Sequence, residues 1–209
     1  ASFHLRNNRN LPLIIKGSKK LKSIRFFEKR GSAQCKSSVI FGGIKADGKT
    51  IIKAKKSRNH TELLFKHLKL PIKVKRNKKF DLIEVNKVNK INPINYRIPS
   101  DISSGAFFIA LTALLKKSQL IIKNVNVNPT RTGVIVILKK MGVKISLLNK
   151  KVYKGEQIAD ISVKSPSSLK SINCPTKFNN EAIDEFLIIF LIAAKALSLI
   201  HISEPTRRP

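Results

Sequence analysis

Two stretches of this chain carry the same apolar pattern, and the duplication limits its fold more than any other feature. The spacing from Ser32 to Thr61 equals that from Ser103 to Thr132, and from the two threonines onward residues 61–74 (TELLFKHLKLPIKV) run without a gap beside 132–145 (TGVIVILKKMGVKI). Apolar positions coincide through most of the pair. Each copy reads as helix, strand, helix, strand. In the first, helices are expected over 33–44 and 61–68 and strands over 50–54 and 72–75, with a further strand-like run at 82–85. In the second, helices are expected over 103–115 and 133–141 and strands over 119–125 and 143–147, with a further run at 160–163. A third copy starts at Asp184 and then stops. The period, roughly 70 to 80 residues, exceeds the ~20 to 50 of solenoid repeats, so each copy is a small α/β layer unit. The Asn-rich stretch 86–96 lacks periodicity and reads as a crossing between the copies.

Local punctuation agrees with these boundaries. Ser103 and Ser104 suit a helix N-terminus because their hydroxyls accept from free backbone N–H groups, and Thr130 or Thr132 would do the same for the next helix. Gly142 suits a helix stop, where a left-handed residue costs little.

The balance of 42 Lys+Arg against 12 Asp+Glu, a net charge of +30, ordinarily points to nucleic acid or an anionic membrane surface. Here the lysines are spread along the whole length beside many Ile and Asn, all types that AT-rich codons favour, and few aromatic side chains interleave with them. A basic solvated surface is therefore the preferred reading, and no nucleic-acid partner is expected. A hydrophobic content of 42% supports a buried core in one domain or two small ones. Cys35 and Cys174 have no Cys or His at ligand spacing, so no zinc site or disulfide framework is indicated and a reducing, cytoplasmic compartment fits. The longest apolar run, 186–194, falls short of the ~20 residues of a membrane span and reads as a buried helix. Residues 1–10 lack the apolar core of a signal peptide, and an internal start is expected.

Polar sets recur at the expected helix starts. One runs Ile98-Pro99-Ser100-Asp101, then Ser103-Ser104-Gly105-Ala106-Phe107-Phe108, and after a strand Asn128-Pro129-Thr130-Arg131-Thr132-Gly133. Others are Gly31-Ser32-Ala33-Gln34-Cys35-Lys36-Ser37, Ser57-Arg58-Asn59-His60-Thr61-Glu62 and Ala182-Ile183-Asp184-Glu185-Phe186. Together they resemble the signatures of the enolpyruvyl transferases, on the 5-enolpyruvylshikimate-3-phosphate synthase branch: (V/I)PGD-SS-AAFF, NPTRTG, ASAQxKS, SRDHTE and IDE(F/Y)P. Departures from the pattern include Ser100 for Gly, Gly31 for Ala, Asn59 for Asp and Leu187 for Pro.

The resemblance implies an α/β, two-lobed fold of repeated βαβαββ units, incomplete at both ends, with helix N-termini facing an anion-binding cleft. It implies domains over 1–96 and 97–198, with 199–209 a non-native tail. Carried over by motif, Ser32 and the Ala33 backbone N–H bind the phosphate of shikimate 3-phosphate, Gln34 its ring, and Arg58 the same phosphate through its guanidinium fork. Asp184 contacts the 5-hydroxyl and is the catalytic base as that oxygen attacks phosphoenolpyruvate. Plainer readings stand beside these: Ser32 as an ordinary N-cap, Ser57 to Glu62 as a capping box, and Asp184 as a helix-start acid. His60 and Arg131 are assigned structural roles. The family's other substrate-binding stretches, a Lys-Ser with Arg and the VKESDR run with its proton-donating Glu, are expected before Ala1 and after the last residue. The chain is accordingly expected to be an enzyme fragment, inactive alone. It would need no metal or cofactor, would take the small-molecule substrates shikimate 3-phosphate and phosphoenolpyruvate, would have no membrane partner, and would be monomeric when full-length. The alternatives are a UDP-N-acetylglucosamine enolpyruvyl transferase, which uses a cleft Cys, and a basic nucleic-acid-binding module.

Overall fold

Alternation of β-branched and charged residues builds the first sheet. The computed structural model describes residues 2–7, 10–175 and 178–196, so the expected tail 199–209 lies outside the described residues. They divide into two compact units: those up to Lys56 together with Leu68–Asn92, and Ser57–His67 together with those from Pro93 onward.

In the first unit β1 (Ser2–Arg6) and β2 (Asn10–Lys16) form an exposed antiparallel hairpin. Short β3 (Leu21–Lys22) leads to β4 (Arg25–Glu28), after which α1 (Ala33–Gly43) crosses over by way of β5 (Ala46–Asp47) to β6 (Thr50–Lys55). β6 runs parallel to β4, as such a crossover requires. After α2 (His60–His67), β7 (Ile72–Arg76) and β8 (Phe80–Val85) complete a four-stranded sheet of order β4-β6-β8-β7. Period-2 burial gives this sheet one apolar face, with Ile52, Ala54, Ile83 and Val85 inaccessible to solvent, and α1 packs on β6.

The second unit repeats the plan. After the irregular stretch 86–99 come α3 (Ile102–Leu114), β9 (Gln119–Asn126), α4 (Gly133–Lys140), β10 (Lys144–Tyr153) and β11 (Glu156–Lys164). The sheet order β10-β11-β9 reproduces β7-β8-β6, and a parallel bridge from Ser100 to Val125 occupies the place that β4 holds in the first copy. The repeat in the sequence is thus a repeat of topology, βαβαββ. α3 buries Ile102, Ala106, Ile109, Ala110 and Ala113 at helical spacing, and α4 buries Val134, Ile137 and Leu138 against the same core. A 3-10 turn, Ile183–Glu185, opens α5 (Phe186–Lys195), which adds Ile188, Ile189, Ile192 and Ala193 to that core. No helix of the described residues is long and apolar enough to cross a membrane.

Several boundaries differ from expectation. The cap of α3 is Asp101, whose carboxylate accepts from the Ser104 N–H at 2.9 Å, because Ser103 and Ser104 already lie inside the helix. Asn128 turns the Pro129–Arg131 segment by accepting from the Thr130 N–H at 3.0 Å, and Thr132 makes no side-chain cap to α4. Gly142 does end α4, at φ +95°. β10 and β11 extend well beyond 143–147 and 160–163, since hairpin pairing carries polar residues that have no apolar pattern. α5 is only half buried: Leu187, Phe190 and Leu191 face solvent, whereas Ile189 and Ala193 are covered. Residues 57–67, which the repeat places in the first copy, group with the second unit.

Candidate functional site

In the first unit the turn from β4 into α1 is fixed by a buried carboxylate. Glu28 accepts from the backbone N–H of Arg30 at 2.8 Å and of Gly31 at 2.6 Å, which sets Ser32 at the N-cap. Its hydroxyl oxygen accepts from the Cys35 N–H at 3.2 Å. Ala33 and Gln34 form the first turn of α1, where backbone N–H groups lack helical partners and the helix dipole favours an anion. Cys35, on the same turn, is a free exposed thiol.

In the second unit the starts of three elements meet at one arginine. Arg131, in the turn between β9 and α4, hydrogen-bonds the Ser103 hydroxyl on α3 and lies 3.3 Å from Asp101, 3.7 Å from Asp184 and 3.9 Å from Glu185. Ser103 in turn donates to Glu185. Asp184 forms a direct ion pair with Arg58, which precedes α2. Arg58 and Asp184, read separately from the sequence, are therefore brought together across 126 residues. Ser32, Ala33 and Gln34 belong to the other unit.

Gly133 is what lets this cluster close. A Cβ there would stand 2.9 Å from the backbone carbon of Glu181, and the Gly133 N–H donates to the Glu181 carbonyl at 3.3 Å. The Asp184 turn thus rests directly on the start of α4.

Two guanidinium groups face three carboxyl groups, and the carboxyls divide by environment. Burial pushes the Glu185 carboxyl up, and the charge of Asp184 adds to this against the pull of Ser103 and Arg131. Burial would also raise Asp101, but the Ser104 N–H and hydroxyl and the Arg131 guanidinium outweigh it and hold the carboxyl below its ordinary value. Asp101 and Asp184 both reach solvent, at 47% and 44% side-chain exposure, and Asp184 is the one that lies beside both guanidinium groups. It is placed to meet a hydroxyl, and the guanidinium groups to meet an oxyanion.

A second polar group anchors α2. His60 Nδ1 sits 2.6 Å from the buried Glu156, and Asn128 donates to Glu156 at 3.1 Å and to Asn59 at 2.9 Å. Burial opposes ionisation of Glu156, but the bonds from His60 and Asn128 prevail and lower its pKa. His60 thereby ties the segment that carries Arg58 to Glu156 at the start of β11.

Reading the sequence assigned Arg131 a structural role, which its contacts fit, but did not foresee the company of Glu185, Asp101 and Ser103 around it. The legible signal was the adjacency of two acids, Asp184 and Glu185, at a helix start, which requires a cation nearby when one of them is buried.

The family described as EPSP synthase (3-phosphoshikimate 1-carboxyvinyltransferase) matches residues 1–206. The chain is 39% identical over 186 residues to 3-phosphoshikimate 1-carboxyvinyltransferase of Legionella pneumophila (strain Corby), covering 88% of this chain and 42% of that protein. It is 39% identical over 198 residues to the enzyme of the same name from Endomicrobium trichonymphae, covering 94% of this chain and 45% of that protein. EPSP synthase from Acinetobacter baumannii superposes with a TM-score of 0.79 at 35% identity, over 93% of this chain and 43% of that one. The enolpyruvyl transferase NikO from Streptomyces tendae, 13% identical, shares the fold with a TM-score of 0.58 over 93% of this chain and 46% of that one. The chain thus spans less than half the length of the relatives it matches. With an α/β repeat of βαβαββ units, the motif residues in place at the helix starts, and a match along nearly its whole length, the chain belongs to the EPSP synthase family.

Proposed function

We propose that this chain carries the shikimate 3-phosphate half-site and the general base of a 3-phosphoshikimate 1-carboxyvinyltransferase, a step towards chorismate and the aromatic amino acids. The observation that supports this best is the ion pair of Arg58 with Asp184, held in the Arg131 cluster. In this reading Ser32, the Ala33 N–H and Gln34 at the α1 start hold the phosphate and ring hydroxyls, and Arg58 exchanges its carboxylate partner for the phosphate when substrate arrives. That exchange frees an Asp184 oxygen for the 5-hydroxyl. Asp184 accepts the hydroxyl proton while the oxygen attacks C2 of phosphoenolpyruvate. C3 is protonated by an acid outside this chain, and loss of phosphate from the tetrahedral adduct leaves the enolpyruvyl ether. The complete protein is monomeric, works in the cytoplasm and needs no metal.

The test is made in the complete protein. Arg58→Ala weakens shikimate 3-phosphate binding roughly ten- to a hundredfold by calorimetry, the range of one charge-assisted hydrogen bond. Asp184→Asn lowers kcat by a factor on the order of 10² to 10⁴ with little change in KM. Unchanged binding in the first variant, or unchanged turnover in the second, removes that residue from the site.

A further inference from the structure

The solvent face of the first unit's sheet carries a feature that the enolpyruvyl chemistry does not use. Register places Phe27, Lys53, Leu82 and Lys75 side by side across its four strands, and Lys55 opposite Phe80 on the same face. Two residues along, Arg25 lies level with Ile51, Glu84 and Lys73. Phe27 is 41% exposed. Its ring meets Phe80 edge-on, with centroids 5.4 Å apart at 61°. Lys53 lies over both rings, 5.1 Å from the Phe27 centroid and 4.9 Å from that of Phe80, and Lys29 stands 5.7 Å from Phe27. Glu84 is the carboxylate of these strand positions, and Lys49 pairs with it at 3.2 Å.

A basic surface derived from codon usage alone explains many lysines, but not two phenylalanine rings in contact near one corner of a cationic sheet face. The rings come from β4 and β8, so their company with Lys53 is invisible along the sequence. We propose that this face binds single-stranded nucleic acid: bases stack on Phe27 and Phe80, and Lys53, Lys55, Lys75 and Arg25 neutralise the flanking phosphates. Lysine stems are flexible, so Lys53 can leave the rings for a phosphate as a base takes its place. The pattern of a sheet face, part-exposed rings and surrounding cations is one that accepts unpaired bases, since every base has a π-face. A duplex hides those faces. An anionic membrane offers charge but no ring to stack, and two part-covered phenylalanines give little to insert.

The test uses the whole chain and fluorescence anisotropy with a short oligouridylate, the matching oligothymidylate and a duplex of equal length. Single strands bind more tightly than the duplex, and the ratio of the two single strands tells RNA from DNA as the preferred source of the bases. Phe27→Leu and Phe80→Leu, which keep apolar volume and remove the ring, together weaken single-strand binding about tenfold or more. Lys53→Gln makes the salt dependence shallower by about 0.7 in log–log slope. Photo-cross-linking of the unsubstituted chain places the oligonucleotide on the peptide containing Phe27 or Phe80, a readout independent of how the variants fold. Equal affinity for the duplex, parental affinity in the double leucine variant, cross-links elsewhere, or binding to phosphatidylserine vesicles without single-strand binding would each overturn the proposal.

Discussion

Arg131 bonds to one hydroxyl and stands within 4.0 Å of three carboxyls, so its removal strands charge rather than merely deleting a contact. Asp101 and Asp184 are about half exposed and water screens them, but Glu185 is 3% exposed and Ser103 bridges it to the guanidinium. Arg131→Met is therefore expected to lower stability by about 1–3 kcal/mol, read from urea unfolding. Arg131→Lys, one cation without the fork, should recover only part of that loss. Glu185 carries the opposite signature in pH. Its folded pKa lies above that of the unfolded chain, so its contribution is present at low pH and fades as the pH rises through the folded value. These roles were hard to read from the sequence because every partner of Arg131 lies on another element. Arg58 and Asp184 were singled out by the family motifs in which they stand.

The sheet of the second unit is pinned at the level of elements by Asp160 on β11. Its carboxylate accepts from the Asn124 N–H of β9 at 2.8 Å, from Asn149 of β10 at 2.8 Å and from Lys123 at 2.9 Å, beside the points where both ladders shift register. Those bonds, the Asn124 N–H first, bring its pKa from 3.8 to about 2. The stabilisation is thus present above about pH 3.8 and lost as the pH falls through about 2. Asp160→Asn should unfold more readily than the parent at neutral pH, and the gap should close by about pH 2 in acid titrations followed by circular dichroism. Gly133→Ala belongs to the same scale. The added carbon would press on the Glu181 backbone, so a loss of about 1–3 kcal/mol is expected, together with weaker substrate binding through the displaced Asp184 turn. Helices were legible almost to the residue, α2 and α4 because 3.6-residue apolar spacing is a strong signal, α1 and α3 as apolar runs that open on a polar start. The β1–β2 hairpin and the far end of β10 were not, since their side chains are mostly exposed and hydrogen bonding across the ladder leaves no apolar mark; the start of β11 was missed although Glu156, Ile158 and Ala159 are buried, because a buried Glu breaks the apolar run.

At the scale of the whole molecule, the chain spans 42% of the Legionella relative, and the proposed chemistry assigns the acid for C3 and the cations for phosphoenolpyruvate to stretches outside it. No phosphate release from shikimate 3-phosphate and phosphoenolpyruvate is expected from the 209-residue chain, since losing proton donation and electrostatic stabilisation costs roughly 10² or more each. Measurable turnover by the purified chain would show the catalytic groups to be misplaced. The repeat carried no sign that 57–67 group with the second unit, because partners distant in sequence decide it.

That grouping matters most at the ribosome. The α2 segment finds Glu156 only 96 residues after His60, and Arg58 meets Asp184 only 126 residues later. At translation rates of roughly 5–20 residues per second, the segment spends about 5 to 25 seconds outside the tunnel before its polar partners exist. The strands on either side of it can pair in that interval, as β6 and β7 both join β8. Within these residues the first unit's sheet can thus pair while the helix-forming segment still lacks its partners, a window in which a chaperone can act or a protease can cut.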